Sequence, residues 1–263
     1  MEIERLAVLG AGQMGAGIAQ VAACSGYQVV MIDIEQDYLD RGLSSIEKSL
    51  SKLVSKGRMS EEEAKSAINL VSTSVSRDSA SEADLVIEAI PEVLELKASA
   101  FSDLDEICKE TAILATNTSS ISIDEIASST KRPGRVIGMH FMNPVPIMKL
   151  IEIINGSQTL PEVTKAILEV SERMGKTPLQ CNDSPGFISN RILCPMLNEA
   201  ILALQEGVAE PEAIDGIMKL GMNHPLGPLA LADLIGLDTV LHIMNVLREG
   251  LEDEKYAPAE LLV

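Results

Sequence analysis

Residues 6–33 read LAVLGAGQMGAGIAQVAACSGYQVVMID, and the order of elements in this stretch decides the fold. An apolar run at 6–9 predicts a strand, and Gly10, Gly12 and Gly15 follow it directly in a G-x-G-x-x-G spacing. Gly17 leaves room for close helix packing, while Ile18, Val21 and Ala22 carry helical apolar spacing up to Gly26, a natural helix end. A second apolar run at 27–32 predicts a strand closed by Asp33. Glycines at this spacing are weak evidence alone. Strand, glycine turn, helix, strand and terminal acid in one short unit point strongly to dinucleotide binding. In such a unit Gly10, Ala11, Gly12, Gln13, Met14 and Gly15 turn backbone N–H groups at a helix start toward a pyrophosphate. Asp33 then binds both ribose hydroxyls and repels a 2′-phosphate, which favours NAD over NADP. The competing reading, a tight turn beside an exposed acid, leaves the rest of the unit unexplained.

Beyond this unit the chain keeps alternating. Residues 34–57 predict a long helix with Lys48, Lys52 and Lys56 at fourfold spacing on one face. Such a stripe is ordinarily a solvated face, but here it is the most basic helical face of an acidic chain and also suits a phosphate-bearing ligand. Ser60 before Glu61, Glu62 and Glu63 predicts a capping-box helix start. An apolar strand at 85–90 holds Glu88 and ends at Pro91-Glu92; groups just past strand ends face the cofactor crevice of a doubly wound sheet. Glu92 and Lys97 are therefore cofactor-site candidates, or ordinary chemistry in the first turn of a helix over 92–109. The strand at 112–115 runs into Thr116-Asn117-Thr118-Ser119-Ser120, whose amide and hydroxyl groups can serve a ligand; Ser120 and Ser122 also fit as caps for a helix over 123–128.

Residues 135–154, RVIGMHFMNPVPIMKLIEII, form two strand-like runs around a break at Asn143-Pro144-Val145-Pro146. His140 ends the first run and Glu152 lies within the second. If the runs are neighbours, the carboxylate can bind one ring nitrogen and make the histidine a general base. A core histidine with a satisfied partner fits the same residues. A helix at 160–174 and a strand at 177–180 complete this part, and turn residues at 182–186 mark a domain boundary near 183. After it the composition turns helical throughout, with apolar spacing over 187–205, 212–221 and 229–247. The expected fold is α/β: a doubly wound sheet of Rossmann type in 1–183, followed by an all-helical domain in 184–263.

Composition narrows the function. With 263 residues, 46% hydrophobic, the chain has material for two domains with sizeable cores. The net charge of −18, with three Phe, three Tyr and no Trp, argues against a nucleic-acid partner. No charge-free apolar run reaches the length of a membrane span, and a strand so near the start leaves no room for a leader. Cys24, Cys108, Cys181 and Cys194 lack metal-ligand spacing and read as reduced thiols of a cytoplasmic protein, with no metal site.

GAGQMGAGIAQ, LVIEAIPE, NTSS, GMHFMNPVPIMKLIEII, DSPGFISNRI and LGMNHPLGPLALADLIGLD together resemble the short-chain 3-hydroxyacyl-CoA dehydrogenases along the whole chain. The resemblance implies an NAD-dependent enzyme of fatty-acid and butanoate metabolism acting on a CoA thioester. It implies that His140 is the general acid/base, with Glu152 as its partner. Ser119 would bind the substrate's 3-oxygen near the nicotinamide, and Asn190 would help to position histidine and acyl group. Asn117 and Asn143 join Asp33, Glu92, Lys97 and the glycine turn at the cofactor. Lys52 and Lys56 match the family's CoA-phosphate contacts, and a homodimer through the helical domain is expected. Family members continue with a further helix and a glycine- and lysine-rich tail where this sequence ends at Leu261-Leu262-Val263, so a shortened second domain is expected. A lysine-dependent β-hydroxyacid dehydrogenase is disfavoured, since no lysine lies between Lys176 and Lys219. A non-catalytic relative is the other alternative.

Overall fold

Short apolar runs, each followed by a turn, build one eight-stranded sheet in the computed structural model, which describes residues 2–263. The strands are β1 (Arg5–Leu9), β2 (Gln28–Ile32), β3 (Val71–Ser74), β4 (Leu85–Glu88), β5 (Ile113–Thr116), β6 (Val136–Phe141), β7 (Leu150–Asn155) and β8 (Thr177–Asn182). Between and around them run α1 (Gln13–Cys24), α2 (Gln36–Ser55), α3 (Glu61–Asn69), α4 (Leu94–Ile107), α5 (Ile123–Ala127) and α6 (Pro161–Arg173). The order is β3-β2-β1-β4-β5-β6-β7-β8, and every pairing is parallel except the antiparallel pair β6–β7. Strand order reverses at β1 and β4, the place where doubly wound sheets open a ligand crevice at their carboxyl edge.

The central strands are mostly apolar because helices cover both faces. One face packs Val8, Met31, Ile87, Ala115, Met139 and Ile153 against α1, α2 and α6 in a single buried cluster. By the strand alternation, Glu88, Thr116, His140 and Glu152 point to the other face. α2 buries Leu39, Gly42, Ile46 and Leu50 and exposes its charges, as its apolar spacing dictates. Ser60 and Glu63 form the expected capping box at α3. The proline loop after β6 includes a cis Asn143–Pro144 peptide.

The second compact unit spans Ser184–Val263 and the first Met1–Asp183. It contains α7 (Ser189–Gln205), α8 (Pro211–Gly221), α9 (Pro228–Ile235) and α10 (Leu237–Leu251). Its core joins Leu197 and Ile201 of α7 to Val240, Met244 and Leu247 of α10 and to Tyr256, Ala259 and Leu262. The single helix expected over 229–247 is corrected to two. Gly236, at φ +103°, turns the chain so that α9 and α10 bend by 96°, and the Asp215 carboxylate accepts Leu229 and Ala230 N–H at the start of α9. Strand β3 is not predicted from sequence: VSTS is short, polar at three of its four positions and on the sheet edge. Among the described residues no single helix is long and apolar enough to cross a membrane.

Two polar side chains, Asn198 buried and Asp84 half-buried, hold segments distant in sequence. Asn198 of α7 donates to the Ala257 carbonyl at 3.1 Å and accepts Ala259 N–H at 2.8 Å, clasping the terminal segment to the helix. Replacing it with alanine strands both backbone groups, so Asn198→Ala should destabilise the helical unit by about 2 kcal/mol in urea unfolding. An unchanged midpoint would mean that water replaces the amide. Asp84 accepts Glu4 and Arg5 N–H, both at 2.9 Å, and pairs with Lys109. Burial alone would raise its carboxyl, yet the Lys109 ammonium and the two N–H donors bring it below the ordinary aspartate value. A lowered folded value stabilises fully above the unfolded value of about 3.9, and that stability is lost as pH falls through the lower folded value. Asp84→Asn should therefore lower Tm at neutral pH, and the gap to wild type should close in melts taken below about pH 4.

Candidate active site

The glycine turn is built by close backbone approach. Gly10, at φ +106°, donates its N–H to the Ile32 carbonyl at 2.7 Å, and a Cβ there would stand 2.5 Å from the Ala89 carbonyl oxygen. A Cβ on Gly15 would stand 1.8 Å from the Gly10 oxygen. Gly12 caps α1 with open space in front of it and with no side chain on the helix end. The first N–H groups of α1 thus face a cradle free of side chains, which fits a pyrophosphate. Ala11 N–H donates to Asp33 Oδ2 at 2.6 Å and Ile34 N–H to Oδ1 at 2.7 Å, so the carboxylate is oriented by the turn itself.

The same turn is tied to the proline loop. Gln13 Nε2 donates to Asn143 Oδ1 at 3.1 Å, and Gly17 lies where a Cβ would be 2.8 Å from Val145 Cβ. From below, the Lys176 ammonium binds the Val145 carbonyl and, at 2.7 Å, that of Met148; burial lowers its pKa. Met14 is half-buried on the first turn of α1.

His140 on β6 stands directly opposite Glu152 on β7 in the antiparallel register. Cross-strand partners share a face, and here Nδ1 lies 2.8 Å from Glu152 Oε2, with both side chains more than nine-tenths buried. The sheet therefore sets the pair. A carboxylate on Nδ1 orients the ring and fixes its tautomer. Asn117, at the end of β5, accepts Phe141 N–H at 2.9 Å through Oδ1, so it braces the residue next to His140.

Between the glycine turn and His140 lies a polar knot that sequence reasoning saw only in part. Glu88 is fully buried; Oε1 accepts Ile90 N–H and the Lys97 ammonium, both at 2.7 Å, and Oε2 accepts the Thr116 hydroxyl at 2.6 Å. Lys97, read from sequence as a cofactor contact, is also fully buried, and its ammonium lies 3.3 Å from Glu92 Oε2. Glu92 Oε1 accepts the Thr118 hydroxyl at 2.6 Å, Ser119 N–H at 2.7 Å and Ser120 N–H at 2.9 Å. Burial alone would raise the Glu92 carboxyl, but the Lys97 ammonium and these donors bring it below the ordinary glutamate value. The Ser120 hydroxyl also turns to Glu92, at 3.1 Å, whereas Ser122 is the N-cap of α5. An apolar strand interrupted by one acid was the available signal for Glu88.

Lys48 and Lys52 are exposed on α2 and Lys56 is its exposed C-cap. Asn190 lies in the first turn of α7, half-buried, after a turn in which Gly186 and Phe187 both take positive φ. Among the described residues no His/Cys/Asp/Glu group could hold a metal.

Residues 5–184 match the model of the 3-hydroxyacyl-CoA dehydrogenase NAD binding domain, and residues 186–263 match that family's C-terminal domain. The chain is 55% identical over 262 residues to a probable 3-hydroxybutyryl-CoA dehydrogenase of Bacillus subtilis (strain 168), covering 100% of this chain and 91% of that one. It is 50% identical over 258 residues to the 3-hydroxybutyryl-CoA dehydrogenase of Clostridioides difficile, covering 98% and 92%. Among solved structures, an (S)-3-hydroxybutyryl-CoA dehydrogenase from Ralstonia eutropha matches with a TM-score of 0.98 at 48% identity, over 99% of this chain and 92% of that one. With both of its units matched and its glycine cradle fitted to the cofactor, the chain belongs to the NAD-dependent 3-hydroxyacyl-CoA dehydrogenases, a family of oxidoreductases.

Proposed function

We propose that the chain oxidises the 3-hydroxyl of a short-chain (S)-3-hydroxyacyl-CoA with NAD and, in reverse, reduces acetoacetyl-CoA. The observation that carries this reading is the buried His140–Glu152 pair, 2.8 Å apart, in a chain whose relatives are named 3-hydroxybutyryl-CoA dehydrogenases. NAD, when bound, supplies the hydride acceptor. In oxidation His140 takes the hydroxyl proton on Nε2, and the imidazolium so formed is stabilised by Glu152 at Nδ1. In reduction the protonated ring returns that proton to the 3-oxygen. Ser119 and Asn190 orient the 3-oxygen toward His140, a positioning effect. Asp33 holds the adenosine ribose, while Glu92, Asn117 and Asn143 serve the nicotinamide side.

Lys52 and Lys56 take the CoA phosphates. They offer exposed ammonium groups on a chain of net charge −18, the kind of local positive charge that an anionic ligand needs. The helical unit pairs with a second copy: Ile192, Ile217, Leu220 and Leu234 are each more than 60% exposed, an apolar load suited to a homodimer interface. Four free thiols, two of them buried, suit the cytoplasm.

Loss of NADH absorbance with acetoacetyl-CoA tests the reading, with NADPH and a longer 3-ketoacyl-CoA run beside it. His140→Ala should lower kcat by roughly 10²–10⁴-fold while NADH affinity in a fluorescence titration stays close to wild type. Equal losses of turnover and NADH binding would make His140 a packing residue.

A further inference from the structure

Glu88 takes no part in the proposed chemistry, yet it is a fully buried carboxylate at the carboxyl end of a central strand. Burying a charge is costly unless it is paired, and an apolar pair of similar size usually serves stability as well or better. What an ion pair adds is direction. Here the direction runs one way: Glu88 Oε1 holds the Lys97 ammonium at 2.7 Å, Lys97 reaches Glu92 Oε2 at 3.3 Å, and Glu92 Oε1 gathers the turn at Thr118, Ser119 and Ser120. Lys97 is itself 0% exposed, so its influence on a ligand passes through Glu92. The backbone of Glu88 joins in, since its carbonyl accepts Asn117 N–H at 2.7 Å and Asn117 Oδ1 accepts Phe141 N–H beside His140.

We propose that Glu88 is a positioning residue for the reaction, acting through Lys97 and Glu92 to fix the Ser119 turn against the cofactor and the substrate's 3-oxygen. The inference rests on the dehydrogenase reading for Ser119. The Lys97 ammonium lies between two carboxylates, and Glu88, gripped by Ile90 N–H and the Thr116 hydroxyl, keeps it from swinging wholly to Glu92. With that anchor gone, Lys97 and Glu92 draw together and Glu92 pulls on the N–H groups of Ser119 and Ser120. A shift of an ångström at a group that orients substrate costs turnover on the order of 10²-fold.

Glu88→Gln keeps the shape and the Thr116 contact while removing the charge. Measured with NADH and acetoacetyl-CoA, it should lower kcat by roughly 10–100-fold and leave the acetoacetyl-CoA KM within about threefold of wild type. Its NADH Kd should rise by about threefold or more, since the turn also faces the cofactor. Because both act on one turn, Glu88→Gln combined with Glu92→Gln should cost no more than the worse single change. If Glu88→Gln does not fold, Glu88→Asp keeps the charge but draws the carboxylate back by one carbon, and should show smaller losses of the same kind in a folded protein. Wild-type kcat and NADH Kd in either folded variant, or losses that multiply in the Glu88/Glu92 double change, would overturn the positioning role. Absence of turnover in the wild-type protein would instead overturn the dehydrogenase reading, and the NADH Kd of the variants would still decide on Glu88.

Discussion

The contact on which the remaining architecture depends is the one between the backbones of Gly10 and Gly15. A single methyl group on Gly15 would overlap the Gly10 oxygen, and one on Gly10 would overlap the Ala89 carbonyl. These absences let α1 start within reach of β1, and they let the loops after β1 and β4 lie side by side at the point of strand-order reversal. Asp33 and Ala11 then lock to one another, and Gln13 reaches Asn143 on the proline loop. The meeting of these loops at the carboxyl edge thus traces back to the volume of two hydrogens.

The carboxyl edge of the sheet is polar in a way that an apolar sheet must support. Glu88, Lys97, Thr116, His140 and Glu152 lie at the carboxyl edge with little or no exposure, and none of their polar atoms is left without a partner. Each charge is met by an opposite charge or by several donors, the condition under which buried ions are tolerated. The result is a rigid set of directions at low dielectric, where electrostatic interactions are strong.

How much of this was legible depended on whether a feature is local in sequence. The glycine turn, Asp33 and the capping box at Ser60 are local patterns whose chemistry forces the conformation, so they could be read directly. His140 and Glu152 were readable as candidates because only a break separates their runs; their contact needed the register. Glu88 and Lys97 were opaque in their true relation, because nothing in a strand-and-helix pattern says which end of a lysine is buried. The β3 strand was missed because an edge strand needs no apolar face, and the α9–α10 corner because Gly236 sits inside an otherwise unbroken apolar period. Asn198 resembles any polar residue on a helix until the terminal segment folds back on it.

The reversed direction of β7 has a consequence for heredity. Had the sheet continued in parallel after β6, the chain would have needed a crossover of a dozen or more residues before it could set a side chain opposite His140. The antiparallel return brings Glu152 there directly, so both members of the buried His140–Glu152 pair lie in one stretch, 136–155. A recombination that exchanges this stretch between homologues moves the couple intact, whereas one that cuts inside it separates residues whose burial is tolerable only together. Crossovers among viable chimaeras of this family should therefore fall outside the β6–β7 ribbon.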